Sequence, residues 1–304
     1  MMATLLQQLV NGLSAGAIYA LIALGYTMVY GVLRLINFAH SEVFMVGSFT
    51  GFYAALALGY DPAEPAAFGL LRALGVLCAA MAASALLGVA IERFAYRPLR
   101  NAPRLAPLIT AIGVSLLLQN LGVLLFGPNP RSFPSIVHET RYELGGVVVT
   151  NIKLLIFAVA VALMFGLHLM VKHTWLGKAM RALSINLGVA KLMGIHVNHV
   201  IAFTFAIGSA LAAAGGILFG LDQTKIEPLM GVMIGLKAFV AAVLGGVGNI
   251  MGAALGGFLI GIAEQLTAGY VSADYRDAIT FAILIAVLLF RPQGLLGSVS
   301  AEKV

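Results

Sequence analysis

Nine apolar stretches follow one another along this chain, separated only by short polar or glycine-rich segments. A helix needs about 20 apolar residues to cross the hydrocarbon core of a bilayer, and most of the stretches approach that length. Hydrophobic residues make up 61% of the sequence and charged residues only 10%, against about 25% charged residues in soluble domains. This excludes an ordinary soluble enzyme and a disordered chain. The stretches are 4–30, 43–60, 73–91, 106–127, 154–171, 200–221, 229–247, 249–269 and 278–290.

The pattern predicts an all-α polytopic membrane protein in which residues 1–304 form one transmembrane domain. The number of crossings depends on a glycine-rich interruption at 245–249, inside a run that is otherwise apolar from 238 to 263. This region is either two tight spans or a broken, re-entrant segment, so we expect eight or nine transmembrane helices. Two similar openings of spans, at 37–39 and 249–251, are too weak a likeness to establish a repeat.

The loop charges orient the helices. Loops 31–42, 92–105, 172–199 and the tail 291–304 hold 11 Lys and Arg residues and 3 acids, whereas the opposite loops hold 6 basic residues and 8 acids. By the positive-inside rule, the first set of loops is cytoplasmic. We therefore expect the N-terminus outside and the C-terminus in the cytoplasm, which requires an odd number of full crossings.

Small residues recur at four-residue spacing in three of the stretches. Such faces let helix backbones approach closely, which predicts helix–helix packing; the alternative is the thin wall of a substrate path. The residues are Gly12, Gly16 and Ala20, then Gly208, Ala212, Gly216 and Gly220, and finally Gly248, Gly252 and Gly256.

The basic loop 172–199 holds four Lys and Arg residues and no acid. It contains a short amphipathic helix with Lys178 and Arg181 off the apolar face, bounded by Gly177 and Gly194. Such a helix either lies on anionic lipid headgroups or docks against a cytoplasmic partner. The residues spaced as its apolar face are Met180, Leu183, Leu187 and Ala190.

Three ionisable residues lie in or beside the spans. Lys237 is near the middle of 229–247, Glu264 lies in the outer half of the next span, and Glu42 just precedes the second span. A charge at the bilayer centre costs about 2.5–3.5 kcal/mol on insertion scales and faces protein or water. These residues either line a polar path, with Lys237 meeting a substrate carboxylate, or Lys237 and Glu264 form a structural pair between two helices.

Two further segments allow more than one interpretation. Asn37, His40 and Ser41 lie where the chain re-enters the membrane, as a polar helix start with Asn37 as N-cap or as an inner gate. The outer loop 128–152, with three prolines and mixed charge, is either a surface for a soluble protein or simply solvated.

The sequence lacks the motifs of nucleotide and metal chemistry. It contains no G-x-x-x-x-G-K-[ST] and no H-E-x-x-H, so any ATP hydrolysis is expected on another chain. His196 and His199 have no carboxylate or cysteine near them in sequence, so no metal site is predicted there.

A set of motifs spread over nearly the whole chain, weak singly and specific together, resembles one family. The motifs are Asn11–Leu13, Tyr19–Gly25, Thr27–Gly31, Ile36–His40, Gly177–Ala182, Ala190–Ile195, Lys237–Phe239, Val243–Gly246, Gly261–Glu264 and Arg291–Gly294. Together they resemble the LivH-type branched-chain amino acid permeases of ATP-binding-cassette importers. The chain departs from that family at Ser41, where glycine is usual, and at Ile185 and Asn186, where acidic residues are frequent.

The resemblance implies partners. Such a permease pairs with a second, homologous permease, two cytoplasmic ATPase subunits bind ATP, and an amino-acid-binding protein delivers substrate from outside. The expected location is the bacterial cytoplasmic (inner) membrane, in contact with lipid, with no nucleic acid partner and no cofactor or metal in this chain. Residues 178–194 are then the coupling element.

The residues expected to carry the function form two sets. Those coupling the chain to the ATPases are Lys178, Arg181, Ala182, Leu187, Ala190 and Gly194, and those of the substrate path or gate are Asn37, His40, Glu42, Lys237 and Glu264. The expected function is alternating access driven by partner ATPases, without enzymatic chemistry in the chain. The alternatives are an ion-coupled secondary transporter or channel, which calls for more buried acids, and an intramembrane enzyme, for which no nucleophile–base pair is visible.

Overall fold

The fold is known from a computed structural model, which describes residues 2–61, 69–100, 102–103 and 105–297. Four residues of the loop charge count, Glu64, Arg104, Glu302 and Lys303, lie outside the described residues. The helices are α1 (Met2–Leu33), α2 (His40–Ala57), α3 (Leu70–Ile91), α4 (Leu105–Phe126), α5 (Asn151–His173), α6 (Trp175–Ile185), α7 (Leu187–Leu192), α8 (Val197–Gln223), α9 (Met230–Gly245), α10 (Ile250–Tyr270) and α11 (Arg276–Phe290).

Short irregular elements complete the chain. Helix α3 continues as a π-helical turn over Glu92–Tyr96, and a 3₁₀ turn over Ala273–Tyr275 precedes α11. Strand β1 (Arg131–Ser132) pairs antiparallel with β4 (Lys225–Ile226), and β2 (Arg141–Leu144) forms a hairpin with β3 (Val147–Thr150).

Six of the described helices are long and apolar enough to cross a membrane: α1, α3 with its π-helical turn, α4, α5, α8 and α10. The chain is therefore an all-α polytopic membrane protein, as predicted. Helices α2, α9 and α11 have 18, 16 and 15 residues, which at 1.5 Å per residue gives each a length of about 22–27 Å. The glycine-rich interruption separates α9 from α10 as two distinct helices.

The bundle has two distinguishable ends. At one end, the hairpin end, the β2–β3 hairpin is fastened to the start of α1, because the Gln7 side chain accepts from the Val148 backbone NH at 2.7 Å and donates to its carbonyl at 3.0 Å. At the other, the α6–α7 end, these two helices lie near the C-terminal part of α1 and the α9–α10 turn, around a cavity of about 90 Å³. The N-terminus and the described C-terminal segment therefore lie at opposite ends.

The first and last thirds of the chain are an inverted repeat. Helix α1 packs along α10 as α8 packs along α3, and α2 contacts α8 as α9 contacts α1. Both long helices end at a left-handed residue that is not glycine, Arg34 (φ 54°) and Thr224 (φ 56°). Five residues then lead to the next helix, at His40 or Met230. The repeat thus pairs 37–39 with 227–229 and not with 249–251, so the similarity seen in the sequence is not the repeat.

Each of the five-residue connections turns back into the bundle. His40, the first residue of α2, contacts Gly25 of α1, eight residues before α1 ends, which is about 12 Å of helix. Helix α9 begins at the same depth, because Gly231 lies against the backbone of Ser41. The two short helices therefore begin next to each other inside the bundle.

Most of the small residues pack against other helices, as predicted, but Gly220 packs on Phe133 of the 128–152 loop and Gly248 lies before α10 begins. A Cβ added to Gly16 would lie 2.7 Å from the Cα of Phe258 on α10, and one added to Gly12 would lie 2.7 Å from the Cα of Ile262. On α8, Gly208 faces Gly25 of α1. Larger side chains would separate these backbones, which is why the contacts require glycine.

Candidate functional site

The basic loop folds as two helices and not as the single short helix expected from its periodicity. Asn186 adopts an extended conformation between α6 and α7 and caps α7, accepting from the Val189 amide at 3.0 Å. The helix also begins earlier than predicted, because Gly177 lies inside α6 and packs on the backbone of Val171. The predicted apolar face is correct: Met180, Leu183 and Ala190 are buried and Leu187 is partly buried.

Other apolar residues of α6–α7 are exposed. Ile185 and Leu192 are 83% and 87% exposed, and their exposed apolar neighbours are Trp175, Val189 and Met193. We call these five residues the coupling patch. Exposed apolar side chains in one short segment indicate a surface that another molecule covers.

The six predicted coupling residues differ in accessibility. Lys178 and Gly194 are exposed, Ala182 and Leu187 are partly buried, and Ala190 is buried. Arg181 is exposed, and its guanidinium donates to the carbonyls of Val171 and Lys172 at the end of α5. Arg181 therefore holds α6 against α5. Its positive charge also compensates the partial negative charge at the C-terminus of α5.

Asn37 is not the N-cap of α2. The cap position is Ala39, which makes no side-chain cap bond, and Asn37 Oδ1 instead accepts from the Tyr96 hydroxyl at 3.0 Å. The side-chain oxygen is occupied by that hydroxyl, so the re-entrant segment is fastened to the π-helical turn after α3. Sequence patterns for helix caps do not predict a competing hydrogen-bond donor that lies 59 positions away along the chain.

His40 is 1% exposed and lies among helices α1, α2 and α8. Its ring contacts Tyr26 edge-on at a centroid distance of 4.8 Å, and its Nε2 atom has no hydrogen-bond partner. The ring occupies the space left by the missing side chain of Gly25. His40 therefore closes the bundle at the depth where α2 begins.

Glu42 is fully buried between the starts of the two short helices. Its Oε1 atom accepts from Gln119 at 3.1 Å and lies 3.4 Å from the Ser115 hydroxyl, both on α4. Its Oε2 atom has no partner and points toward Gly231 in the first turn of α9. Helix α9 therefore begins directly against the Glu42 carboxyl group.

Lys237 and Glu264 form the predicted pair between helices. Their charged atoms are 3.1 Å apart, and Lys237 also lies 2.7 Å from Asp277 of α11. Glu264 additionally accepts from the Tyr19 hydroxyl at 2.8 Å and the Thr280 hydroxyl at 2.7 Å. The buried carboxylate is thus satisfied from α1, α9 and α11, while Asp277 remains about half exposed.

The predicted residues of the substrate path form two separate clusters. Asn37, His40 and Glu42 lie around the start of α2, and Lys237 and Glu264 lie where α1, α9, α10 and α11 meet. Asn37, His40, Glu42 and Glu264 are at most 2% exposed, so this conformation is closed at those residues.

A charged cluster at the α6–α7 end was not predicted. Glu92 is completely buried and pairs with Arg97 and Arg100 at 2.8 Å each, and Arg100 also donates to Asn198 at the start of α8. Burial lowers the pKa of Arg100, an effect that Glu92 opposes. The π-helical turn aligns Glu92 with Arg97, five residues later, so the spacings of three and four used for α-helices miss this pair.

The hairpin end carries the mixed charge of 128–152 on an ordered scaffold. Phe133 packs on Gly220 of α8, and the Ser135 amide donates to the Tyr60 hydroxyl at 2.9 Å. Arg131 lies 5.7 Å and 5.8 Å from the ring centroids of Phe52 and Tyr53. These contacts hold the loop on the bundle.

The histidines of the basic loop do not form a metal site within the described residues. The rings of His196 and His199 stack with centroids 5.6 Å apart, and no group of three potential ligands occurs in the described part of the chain.

Comparison with known proteins places the chain in a family. Residues 8–288 match the family model described as branched-chain amino acid transport system / permease component. The chain is 46% identical to the high-affinity branched-chain amino acid transport system permease protein BraD of Pseudomonas aeruginosa, over 98% of both chains. It is 44% identical to the corresponding protein LivH of Escherichia coli, over 98% of this chain and 97% of that protein.

Similarity extends to an archaeal protein, the probable branched-chain amino acid transport permease protein LivH of Methanocaldococcus jannaschii. The two are 31% identical over 91% of this chain and 88% of that protein. These relatives are permeases and not enzymes. The chain belongs to the family of permease components of branched-chain amino acid transport systems.

Proposed function

We propose that this chain is the permease subunit of an ATP-binding-cassette importer for branched-chain or related amino acids. Its relatives over nearly their full length are permeases of branched-chain amino acid transport systems. The observation that carries the proposal is the coupling patch. Four exposed apolar side chains on α6 and α7, together with Met193 directly after α7, offer an ATPase subunit a surface that must be covered.

The α6–α7 end faces the cytoplasm and the hairpin end faces outward. The excess of Lys and Arg in loops at the α6–α7 end supports this orientation. All nine bundle helices, including the shorter α2, α9 and α11, then cross or nearly cross the bilayer. The membrane is the bacterial cytoplasmic membrane, and lipid covers the apolar faces that partner subunits leave free.

The surfaces at the two ends of the bundle support the expected partners. Two cytoplasmic ATPase subunits bind ATP and dock on the coupling patch, which leaves this chain without a cofactor of its own. At the hairpin end, the ordered and charged surface of 128–152 fits a soluble amino-acid-binding protein. A second, homologous permease completes the path, because the residues around Glu42 and Lys237 are closed within one chain.

The inverted repeat supports alternating access. Movement of α6–α7 reaches α5 through Arg181, which holds the carbonyls of Val171 and Lys172. Rocking of one half against the other would separate α2 from α9 at the depth of His40 and Glu42, opening the closed centre. Asn37, His40 and Glu42 act as the gate, and the Lys237–Glu264 cluster holds α9, α10 and α11 to α1.

The test is purification of the tagged chain from its native membrane in a mild detergent, followed by mass spectrometry. We expect two ATPases and a second permease with the wild type. The variant Leu192→Glu should lose the ATPases and keep the second permease, whereas His199→Glu, exposed at the same end but outside the patch, should lose neither. A lone chain that moves solute in ATP-free liposomes would replace this proposal with a secondary transporter.

A further inference from the structure

Two adjoining cavities open at the hairpin end, between the β2–β3 hairpin and the ends of α1, α5 and α8. Their volumes are about 210 and 270 Å³. They lie side by side, because Glu139, Ile152, Leu221 and Thr224 line both. Each is smaller than the roughly 300 Å³ of the smallest sites for drug-sized ligands, so they suit a molecule of few atoms.

The larger cavity contains opposite charges that do not neutralise each other directly. Lys153 and Asp222 both line it, yet they form no ion pair, although other ion pairs occur in the described part of the chain. Lys153 donates to the amide oxygen of Asn11, and Asp222 accepts from Gln223 at 2.8 Å. Their hydrogen-bond partners are therefore neutral, while Lys153 acts on the Asp222 carboxylate electrostatically from beyond ion-pair distance. An ammonium group has three donors to offer.

The remaining charges of the cavity are already satisfied. Arg141 and Glu139 pair with each other at 3.1 Å on its rim, and both are more exposed than a closed site requires. Apolar walls come from Ile152, Leu221 and Val148. The cavity thus combines one available cation, one available anion and an apolar wall.

From this arrangement we infer that the cavity binds a zwitterionic amino acid, with Lys153 contacting its carboxylate and Asp222 its ammonium group. A zwitterion supplies both missing counter-charges at once and presents its side chain to the apolar wall. The site lies where substrate from outside would first meet the chain. The inference rests on the proposed function only for the statement that the cavity faces outward and meets incoming substrate. The class of ligand follows from the charge arrangement itself.

The test measures binding to the full-length chain in lipid nanodiscs, with a panel of the proteinogenic amino acids and no binding protein. For the tightest binder, two analogues are compared: its amide, which lacks the carboxylate, and the corresponding carboxylic acid, which lacks the ammonium group. The variants are Lys153→Met and Asp222→Asn. The matched controls are Lys225→Met and Asp274→Asn, which are exposed and outside the cavity.

The expected result is specific to each charge. Lys153→Met should weaken binding of the amino acid about tenfold or more, as expected for a lost charge-assisted contact, and leave binding of the amide unchanged. Asp222→Asn should do the same for the amino acid and leave the carboxylic acid unchanged. The controls should bind like the wild type. Unchanged binding of the matching analogue also shows that the variant is folded.

Three results would overturn the inference. These are no binding by any amino acid in the panel, equal loss of amino acid and analogues in a variant, and no loss in either variant. The proposed function is judged separately, by ATP-dependent uptake through the assembled importer. Uptake that persists while the binding pattern fails would reject this site and retain the function, whereas the predicted binding pattern without ATP-dependent uptake would do the reverse.

Discussion

Lys237 Nζ lies 3.1 Å from Glu264 Oε1, so one ion pair joins α9 to α10 inside the bundle. Tyr19, Thr280 and Asp277 complete the cluster. Four helices therefore meet at one buried carboxylate, Glu264. Because the contacts come from α1, α9 and α11, the cluster fixes the positions of these three helices relative to α10.

Removing the cation should destabilise the protein strongly. Lys237→Met leaves Glu264 buried without its counter-charge, which we expect to lower the free energy of unfolding by about 3–5 kcal/mol. The measurement is thermal unfolding in detergent. Adding Glu264→Gln to Lys237→Met should restore part of the loss, because a neutral amide keeps hydrogen bonds without the charge. A double variant no more stable than the single one would refute the structural role of the pair.

The coupling patch should affect assembly and not folding. Ile185→Glu places a charge on a side chain that is 83% exposed, so the unfolding temperature of the chain should not change. A charge at the centre of an apolar contact typically costs more than about 2 kcal/mol, so ATPase affinity should fall about 30-fold or more.

The readout for the patch is co-purification of the ATPases, together with uptake. Leu183→Ala is the contrasting variant, because Leu183 is buried beneath α6 and its loss should lower the unfolding temperature. Unimpaired ATPase binding by Ile185→Glu would exclude the patch as the docking surface.

Close backbone contact between α1 and α10 should make Gly16 intolerant of a methyl group. In Gly16→Ala the new Cβ would meet the Cα of Phe258 at 2.7 Å, and such overpacking costs about 1–3 kcal/mol. The matched control is Gly166→Ala on α5, where nothing lies within 4 Å of the added atom. Thermal unfolding should separate the two variants, and equal stability would show that the helices can move apart freely.

The C-terminal segment is fastened to the α9–α10 turn and should be released by a single substitution. Leu295 and Leu296 donate to the carbonyls of Leu244 and Gly245 at 2.8 and 3.0 Å, and Gly294 (φ +78°) packs on the backbone of Gly246. Gly294→Ala adds a Cβ to a residue with a left-handed backbone, and this atom would collide with the backbone of Gly246. We therefore expect faster proteolysis of the C-terminal segment.

The control for the tail is Gly69→Ala, which has a similar positive φ of 75° and open space around the added atom. Gly69→Ala therefore measures the cost of the left-handed backbone alone, about 1–2 kcal/mol, because no packing contact is lost there. Proteolysis of the tail at the wild-type rate in Gly294→Ala would contradict the importance of the Gly294–Gly246 contact.

Local patterns in the sequence predicted much of the fold. Runs of apolar residues located the membrane helices, and the spacing of Met180 and Leu183 identified the buried face of α6, because both depend on a period of 3.6 residues along one segment. Four-residue spacing likewise identified the glycine faces of α1 and α8. The resemblance to a permease family, carried by motifs spread over nearly the whole chain, was also visible in the sequence.

The tertiary structure decided the partners of the polar residues. Periodicity shows which face of a helix is buried but not what covers it, so the capture of Asn37 by Tyr96 and the contact of Tyr19 with Glu264, 245 positions away, could not be predicted. The inverted repeat shows itself in the left-handed backbone at Arg34 and Thr224. Because these two residues are of different types, the repeat could not be seen in the sequence. The pairing of Glu92 with Arg97 requires a π-helical turn. Long-range packing selects these conformations, and no local residue pattern encodes them.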